Sequence, residues 1–172
     1  NGSEREELER LQQAVDEHGW SDWAYVLPIT NNRGFAGGTN VVLRDAMNWP
    51  TPPEHFLLLN TDTIVHAGAV NSMLAMMNAD TSIGLLNAHL IDVEGQPHNY
   101  EFRYISPMTE MLRAAGTGAL NRLLGYGAFE LAPKKPDEEA IWLCFAGTMV
   151  RRQVVEQVGL LDEGLYLYFD DV

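Results

Sequence analysis

Apolar residues recur at helical spacing near the start of the chain. Within Leu8–Val15 the apolar positions lie three and four residues apart, and most residues between them are polar. This spacing predicts an amphipathic helix. Ser3 and Glu6 have the spacing of a capping box, so the helix is predicted to begin at Ser3 and to end at His18-Gly19.

Short apolar runs then alternate with helical segments. Ala24–Ile29 and His55–Leu59 have the length and character of buried strands, whereas Thr39–Met47 and Ala67–Met77 have helical patterns. The glycine-rich stretch Asn31–Gly38 is predicted to be the loop between the first strand and the first of these helices. Strands that alternate with helices predict an α/β layer fold with a mainly parallel sheet.

Further strands are predicted in the middle of the chain. Ile83–Leu86 and His89–Val93 have strand patterns, and a turn at Glu94-Gly95 separates them from Gln96–Phe102. The next segment, Ser106–Pro136, mixes leucines and methionines with glycines, which predicts an insertion of helix and loop.

The last third of the chain returns to short elements. Lys134–Glu139 is a charged connector, and it leads into the apolar run Ile141–Val150. Arg152–Val158 is predicted to be a short helix. Leu165–Phe169 follows as an aromatic-rich strand that runs into two aspartates.

Composition narrows the classes of function. The 172 residues are 46% hydrophobic and 20% charged, as in one globular domain. The net charge of -13 argues against a protein that binds nucleic acid by neutralising phosphates. The sequence contains neither an apolar run as long as a membrane span nor a secretory signal. Cys144 is the single cysteine, which excludes an intrachain disulfide and favours the cytoplasm.

Asp62 is the first candidate for chemistry. It follows the strand His55–Leu59 directly, and open α/β sheets bind their ligands at the carboxyl ends of strands. One carboxylate there suits Mg²⁺ or Mn²⁺, which keep several waters and take further ligands from a substrate diphosphate. The alternative is that Asp62 caps the helix that follows.

The glycine-rich stretch is the second candidate. Its order of glycines matches neither a dinucleotide-binding fingerprint nor a P-loop. Its glycines would let the backbone approach a phosphate, and Arg33 would add a charged donor beside a helix N-terminus. The alternative is a tight turn with Arg33 in solvent.

Two adjacent carboxylates form the third candidate. Asp170 and Asp171 follow an aromatic run, and partial burial beside a like charge raises the pKa of a carboxylate toward the range of a general base. Such a pair would deprotonate a hydroxyl group. The alternative is an exposed, acidic strand end in an acidic protein.

Four stretches of the chain match, in order and spacing, the motifs of one enzyme family. Asn32–Asn40 (NRGFAGGTN) resembles an NxGFAGGxN loop, and Phe56–Thr63 (FLLLNTDT) resembles the LLLNPDT form of a DxD motif. Phe145–Arg152 (FAGTMVRR) is similar to a glycine-containing segment ahead of an acceptor site, and Gly159–Val172 resembles GGFDExFFxYFEDVD. These are motifs of the family-2 glycosyltransferases of the GT-A fold, especially of their bacterial rhamnosyltransferase-like branch.

The resemblance implies roles for the matching residues. Asp62 would bind Mg²⁺ or Mn²⁺, while Asn60 stands where the DxD motif has its first aspartate. Asp171 would be the catalytic base, and Asp170, which stands where the family has glutamate, would support it. The residues implied to bind substrate are Asn32, Arg33, Gly34, Phe35, Gly37, Gly38, Asn40, Asn60 and Gly147, of which those in the Asn32–Asn40 loop would lie against the nucleotide-sugar donor.

The resemblance also implies that residues 1–172 are an internal part of a GT-A domain, a Rossmann-like three-layer fold, truncated at both ends. Residues 1–95 would form most of the donor side, and 96–172 the insertion and the acceptor side. Asn1-Gly2-Ser3 resembles the end of the family's VDNGS turn, and Val172 lies inside its EDVD motif. Such a part is expected to be inactive alone.

The implied activity is that of an inverting hexosyltransferase in the synthesis of a cell-surface polysaccharide. It would move a sugar, for which this branch suggests rhamnose, from a nucleotide-diphosphate sugar to a hydroxyl of a glycan or lipid-linked glycan. Peripheral contact with the inner face of the membrane is a further expectation. Two alternatives stay open, namely a sugar nucleotidyltransferase and a non-catalytic relative that binds nucleotide or glycan. The sequence makes no prediction of oligomeric state.

Overall fold

The computed structural model of the protein describes residues 1–96, 101–102 and 142–166, which form an α/β structure. They divide into two compact units, one made of Asn1–Glu54 with the described residues from Val155 onward, the other of the described residues of His55–Val154. Its elements in chain order are α1 (Arg5–Glu17), α2 (Gly34–Met47), β1 (His55–Leu59), α3 (Ala69–Ala79), β2 (Leu85–Asn87), β3 (Glu101–Phe102), β4 (Trp142–Leu143), β5 (Gly147–Arg151) and α4 (Arg152–Val158).

Helix α1 confirms the predicted amphipathic helix but not its predicted start. Glu4 has an extended backbone and is the N-cap residue, without a side-chain capping bond, so Ser3 does not begin a capping box. Arg5 Nε donates to Glu9 Oε1 at 2.8 Å and supports the first turn instead. The helix ends at His18, and Gly19 follows with a φ of +65°, as the sequence predicted.

Helix α2 contains the glycines that were predicted to form a loop. It begins at Gly34 rather than Thr39, so the whole GFAGG segment is helical. The predicted loop was therefore too long. The buried positions Ala36, Asn40 and Leu43 recur at helical spacing, and burial of this face stabilises the extra turn.

Ala24–Ile29 is not a strand in the described part of the chain, which corrects the prediction. A strand requires a neighbouring strand that pairs with its backbone groups. Here the Ile29 carbonyl accepts a hydrogen bond from the Gly2 N–H at 2.7 Å, but no ladder of pairs follows. The segment is apolar, but its backbone has no strand partner among the described residues.

The second unit is built on a three-stranded sheet with the order β1-β5-β2. β5 pairs antiparallel with both neighbours, so β1 and β2 run in the same direction on either side of it. The β3–β4 pair is antiparallel as well. The described strands therefore do not form the predicted, mainly parallel sheet. The reason is that the apolar run Ile141–Val150, which sequence pattern cannot orient, supplies a strand between β1 and β2.

Helix α3 covers one face of this sheet. Met73 and Met77 of α3 pack with Met149 of β5, and Leu57 and Leu86 of the flanking strands adjoin them. These residues form the core of the second unit, which holds β1, β5 and β2 in register.

Arg151 joins the end of α3 to the sheet. Its guanidinium donates to the carbonyls of Met77 at 2.6 Å and Ile83 at 2.9 Å. The carbonyls at the end of a helix have no partner within it, so this cation satisfies one of them and favours the helix dipole. None of the helices in the described ranges is long and apolar enough to cross a membrane.

The remaining predictions have mixed outcomes. His89–Val93 is not a strand, since its single bridge residue is Ile91. The turn at Glu94-Gly95 is confirmed, because the Asp92 carboxylate accepts from the Glu94 N–H at 3.0 Å and Gly95 has a φ of +78°. The strand predicted at Ile83–Leu86 is observed as β2, which begins two residues later and ends at Asn87. The predicted insertion at 106–136 lies outside the described residues.

Candidate functional site

Several of the predicted site residues lie at one edge of the three-stranded sheet, at the ends of its strands. β1 and β2 end there and β5 begins there, because Leu59 pairs with Gly147 and Asn87 pairs with Thr148. The turn Asn60–Thr63, here called the Asp62 turn, leaves β1 at this edge. The structure thus brings Asn60, Asp62 and Gly147 to one edge, as expected of a ligand crevice in an α/β sheet.

Asp62 is exposed within its turn. The turn is closed by the Thr63 N–H, which donates to the Asn60 carbonyl at 3.2 Å. The Asp62 carboxylate has no hydrogen bond or ion pair with another residue in the described part of the chain. Helix α3 begins at Ala69 with Gly68 as its N-cap residue, so Asp62 does not cap it, and that alternative is wrong.

A second turn, Cys144–Gly147, lies beside the Asp62 turn and is bonded to it. The Ala146 carbonyl accepts from the Asn60 N–H and from the Thr63 hydroxyl, both at 3.3 Å. These two bonds place the Asp62 turn against the chain that enters β5. We call residues Cys144–Gly147 the Cys144 turn.

The Cys144 turn is also held from the other neighbouring strand. Asn87 at the end of β2 donates to the Cys144 carbonyl at 3.2 Å, and Thr148 donates to the Asn87 side-chain oxygen. Neither Asn87 nor Thr148 is among the predicted site residues. The sequence does contain a signal for them, since Asn87 ends the apolar run LLN and Thr148 lies within the apolar run FAGTMV.

Gly147, a predicted substrate-binding residue, is buried where the Cys144 turn enters β5. Its carbonyl accepts from the Ala88 N–H at 2.8 Å. A Cβ at this position would lie 3.3 Å from Leu90 Cδ2, so glycine leaves room for a neighbouring side chain. The predicted contact of Gly147 with the substrate stays a prediction.

The predicted glycine-rich motif lies in the other compact unit. Gly34 has a φ of +71°, and its α-carbon is so close to the Tyr166 carbonyl that a Cβ would collide with it. The Asn32 side chain accepts from the Gly34 N–H at 3.0 Å. The Asn1 side chain binds the same backbone segment, since it accepts from the Arg33 N–H at 2.9 Å and donates to the Gly34 carbonyl at 2.7 Å. The close approach that these glycines permit is thus made by the chain itself.

The remaining members of the motif lie on the first turns of α2. A Cβ at Gly37 would lie 2.6 Å from Arg33 Cβ, and one at Gly38 would lie 2.7 Å from the Asn1 amide nitrogen. Phe35 is half-buried. The donor contacts implied for these residues stay predictions.

Glu163 is the centre of a charged cluster in this unit. Its carboxylate accepts from Arg33 at 2.6 Å, from Arg44 at 2.7 Å and from the Asn40 amide at 3.1 Å. The Asn40 and Arg44 hydrogen bonds lower the pKa of Glu163 from 4.5 to about 2, and the charge of Arg33 adds to this effect. Arg33 is therefore paired with a carboxylate rather than extended into solvent.

Asn40 is fully buried and binds the chain beside Glu163. It donates to the Leu161 carbonyl at 2.8 Å and accepts from the Leu161 N–H at 3.0 Å. Its side chain thus has internal partners on both its oxygen and its nitrogen. Together Asn40 and Glu163 hold residues 161–163 on α2.

Asp170 and Asp171 lie outside the described residues, so their roles stay predictions. The described residues contain no group of three or more histidine, cysteine or acidic side chains that would hold a metal ion. Asp62 alone fits a different arrangement, in which Mg²⁺ or Mn²⁺ binds one carboxylate and takes its other ligands from water and phosphate. A metal held by protein ligands alone does not fit the described residues.

No protein-family model matches the chain. No curated protein and no solved structure is significantly similar to it either. The resemblance to family-2 glycosyltransferases therefore rests on the four motifs themselves, and the activity that it implies is a proposal.

Proposed function

We propose that the protein is an inverting, metal-dependent glycosyltransferase that moves a sugar from a nucleotide-diphosphate sugar to a hydroxyl acceptor. The observation that carries the proposal is the position of Asp62. Its carboxylate is exposed, has no partner among the described residues and lies at the edge where β1 and β2 end. The order of the four motifs along the chain provides the second support.

The metal would be Mg²⁺ or Mn²⁺, with Asp62 as its protein ligand. When bound, such an ion neutralises charge on a departing diphosphate, an effect of several kcal/mol. The protein has a net charge of -13, so an anionic donor needs a local source of positive charge. In the described structure Arg33 and Arg44 face Glu163, and a metal at Asp62 would supply that charge instead.

Asp171 would act as the general base, with Asp170 in support. The acceptor hydroxyl gives its proton to the Asp171 carboxylate while its oxygen forms a bond to the anomeric carbon of the sugar. The bond from that carbon to the diphosphate oxygen breaks, and its electron pair leaves with the nucleoside diphosphate. Attack opposite to the leaving group inverts the anomeric centre. General-base catalysis contributes roughly 10² to 10⁴ in rate.

A GT-A fold with three layers is part of the same proposal. Its support is the β1-α3-β2 segment, in which two strands of the same direction are joined by a helix that packs on the sheet. The proposed acceptor is a glycan or lipid-linked glycan, and the proposed donor sugar is rhamnose.

The test is calorimetric titration of UDP, dTDP and GDP, with and without Mn²⁺, into the complete polypeptide that contains this chain. We expect one nucleotide to bind in a metal-dependent manner and Asp62→Ala to abolish that binding. Asp22→Ala is the matched control, because Asp22 is an exposed aspartate in a turn of the other unit. Metal-dependent binding that survives in Asp62→Ala would contradict the metal assignment, and a folded protein that binds none of the nucleotides would favour a non-catalytic relative.

A further inference from the structure

A closed set of hydrogen bonds joins β2, β5 and the Cys144 turn. Asn87 donates through its amide nitrogen to the Cys144 carbonyl at 3.2 Å and accepts the Thr148 hydroxyl through its amide oxygen. Thr148 Oγ1 also lies 3.0 Å from the Cys144 carbonyl oxygen. Because a hydroxyl has one proton, Thr148 can donate to only one of these two acceptors at a time.

This set of bonds is partly buried at the sheet edge, where Asn87 and Cys144 are half-buried. Thr148 is fully buried, and its two neighbours across the sheet are Leu58 and Asn87. A buried hydroxyl without a partner is costly, and the Thr148 hydroxyl has two acceptors, the Asn87 amide oxygen and the Cys144 carbonyl. An apolar pair at these two positions would remove both side chains that bond the Cys144 carbonyl, so the explanation of the polar pair lies in the Cys144 turn.

The position of the Cys144 turn supplies that explanation. On one side its Cys144 carbonyl is held by Asn87 of β2. On the other side its Ala146 carbonyl receives the Asn60 N–H and the Thr63 hydroxyl, which belong to the Asp62 turn. A continuous path of hydrogen bonds and two peptide units thus connects Asn87 to the residues on both sides of Asp62.

We propose that Asn87, acting through Thr148 and the Cys144 turn, is a positioning residue for the Asp62 turn. It sets where the Asp62 carboxylate stands relative to the sheet edge. The proposal rests on the proposed function for what Asp62 binds, namely a divalent cation with the diphosphate of a nucleotide sugar. Satisfied polar networks in a low-dielectric interior favour one geometry over its alternatives, as this role requires.

The test compares Thr148→Val, Asn87→Leu and the double variant in the complete polypeptide. Each single change removes one side chain of this set and one hydrogen bond of the side chain that remains, so we expect a lower melting temperature. The double change removes both partners and is expected to restore the melting temperature to near that of the wild type. In the double variant we expect the affinity for Mn²⁺ with nucleotide to fall about 10-fold, the scale found when groups that orient a metal ligand are replaced.

Two further variants make the comparison specific. Thr148→Ser keeps the hydroxyl and is expected to keep the affinity for Mn²⁺ with nucleotide. If the double variant fails to fold, Thr148→Ser is compared with Thr148→Val, and equal affinity in these two would overturn the positioning role. Met149→Leu changes a buried residue on the opposite face of β5 and is expected to leave the affinity unchanged.

Hydrogen exchange separates this inference from the proposed function. The Asn60 amide, which donates to Ala146, is expected to exchange faster in the double variant whether or not the protein binds a nucleotide. Faster exchange in a protein that binds no nucleotide would reject the proposed function and keep the positioning role. A folded double variant with wild-type exchange at Asn60 and wild-type affinity would overturn the positioning role.

Discussion

The Asn40 amide donates to Glu163 Oε1 at 3.1 Å and joins residues 123 positions apart in the sequence. Asn40 lies on α2, and Glu163 lies in the turn that precedes the last residues of the chain. Arg33 and Arg44 pair with the same carboxylate, so three side chains from the start of the chain hold one from its end. This contact links the glycine-rich motif to the motif that contains the acidic pair.

The low pKa of Glu163 makes the stability of this unit depend on pH. A carboxylate with a lower pKa in the folded protein stabilises the fold above its unfolded pKa. That contribution is complete above about 4.5 and is lost as the pH falls through about 2. We expect the free energy of unfolding to decrease over this window in acid titrations followed by circular dichroism. Glu163→Gln is expected to remove this part of the decrease, whereas Glu54→Gln, at an exposed site, is expected to retain it.

Asn40→Ala is expected to destabilise the protein by roughly 1–3 kcal/mol. The substitution removes both partners of the Leu161 backbone and one partner of Glu163. Asn48→Ala provides the comparison, since Asn48 is exposed at the end of α2 and donates to the Arg44 carbonyl. Urea denaturation measures both variants. Equal losses of stability in the two would show that burial of Asn40 is not what matters.

Met77→Ala is expected to cost about 2–5 kcal/mol, the range for truncation of a large buried side chain that leaves a cavity. Met77 is fully buried against Met149 and Met73, whereas the adjacent Met76 is 54% exposed. Met76→Ala is accordingly expected to change the free energy of unfolding by about 0.5 kcal/mol or less. Thermal and urea denaturation of the two neighbours provide the measurement. A similar cost at both positions would contradict the packing of α3 on β5.

Asp171→Asn in the complete polypeptide is expected to lower the rate of sugar transfer by roughly 10² to 10⁴. Asparagine has nearly the same shape but cannot accept the proton of the acceptor hydroxyl. Because Asp62 and the metal are unchanged, nucleotide affinity is expected to be that of the wild type. Transfer assays and calorimetry on the same preparation separate the two effects. Unchanged transfer would remove Asp171 from the role of base.

Elements defined by local pattern could be predicted from the sequence alone. β1 at His55–Leu59 and α4 at Arg152–Val158 have the predicted bounds, and α1 ends where a glycine with positive φ follows it. The position of Asp62 at the end of a strand also followed from the sequence. These features depend on residues within one or two turns of each other, and the alternation of apolar and polar positions records them.

Tertiary structure decided what depends on distant partners. β5 lies between β1 and β2 because of pairing across the sheet, and Ala24–Ile29 lacks the ladder that would make it a strand. The helical state of the GFAGG segment follows from burial of one face of α2. The partners of Asn40 and Asn87 lie 123 and 61 residues away, at Glu163 and Thr148. Local pattern carries no information on such pairs, since it shows which residues are buried but not which groups satisfy them.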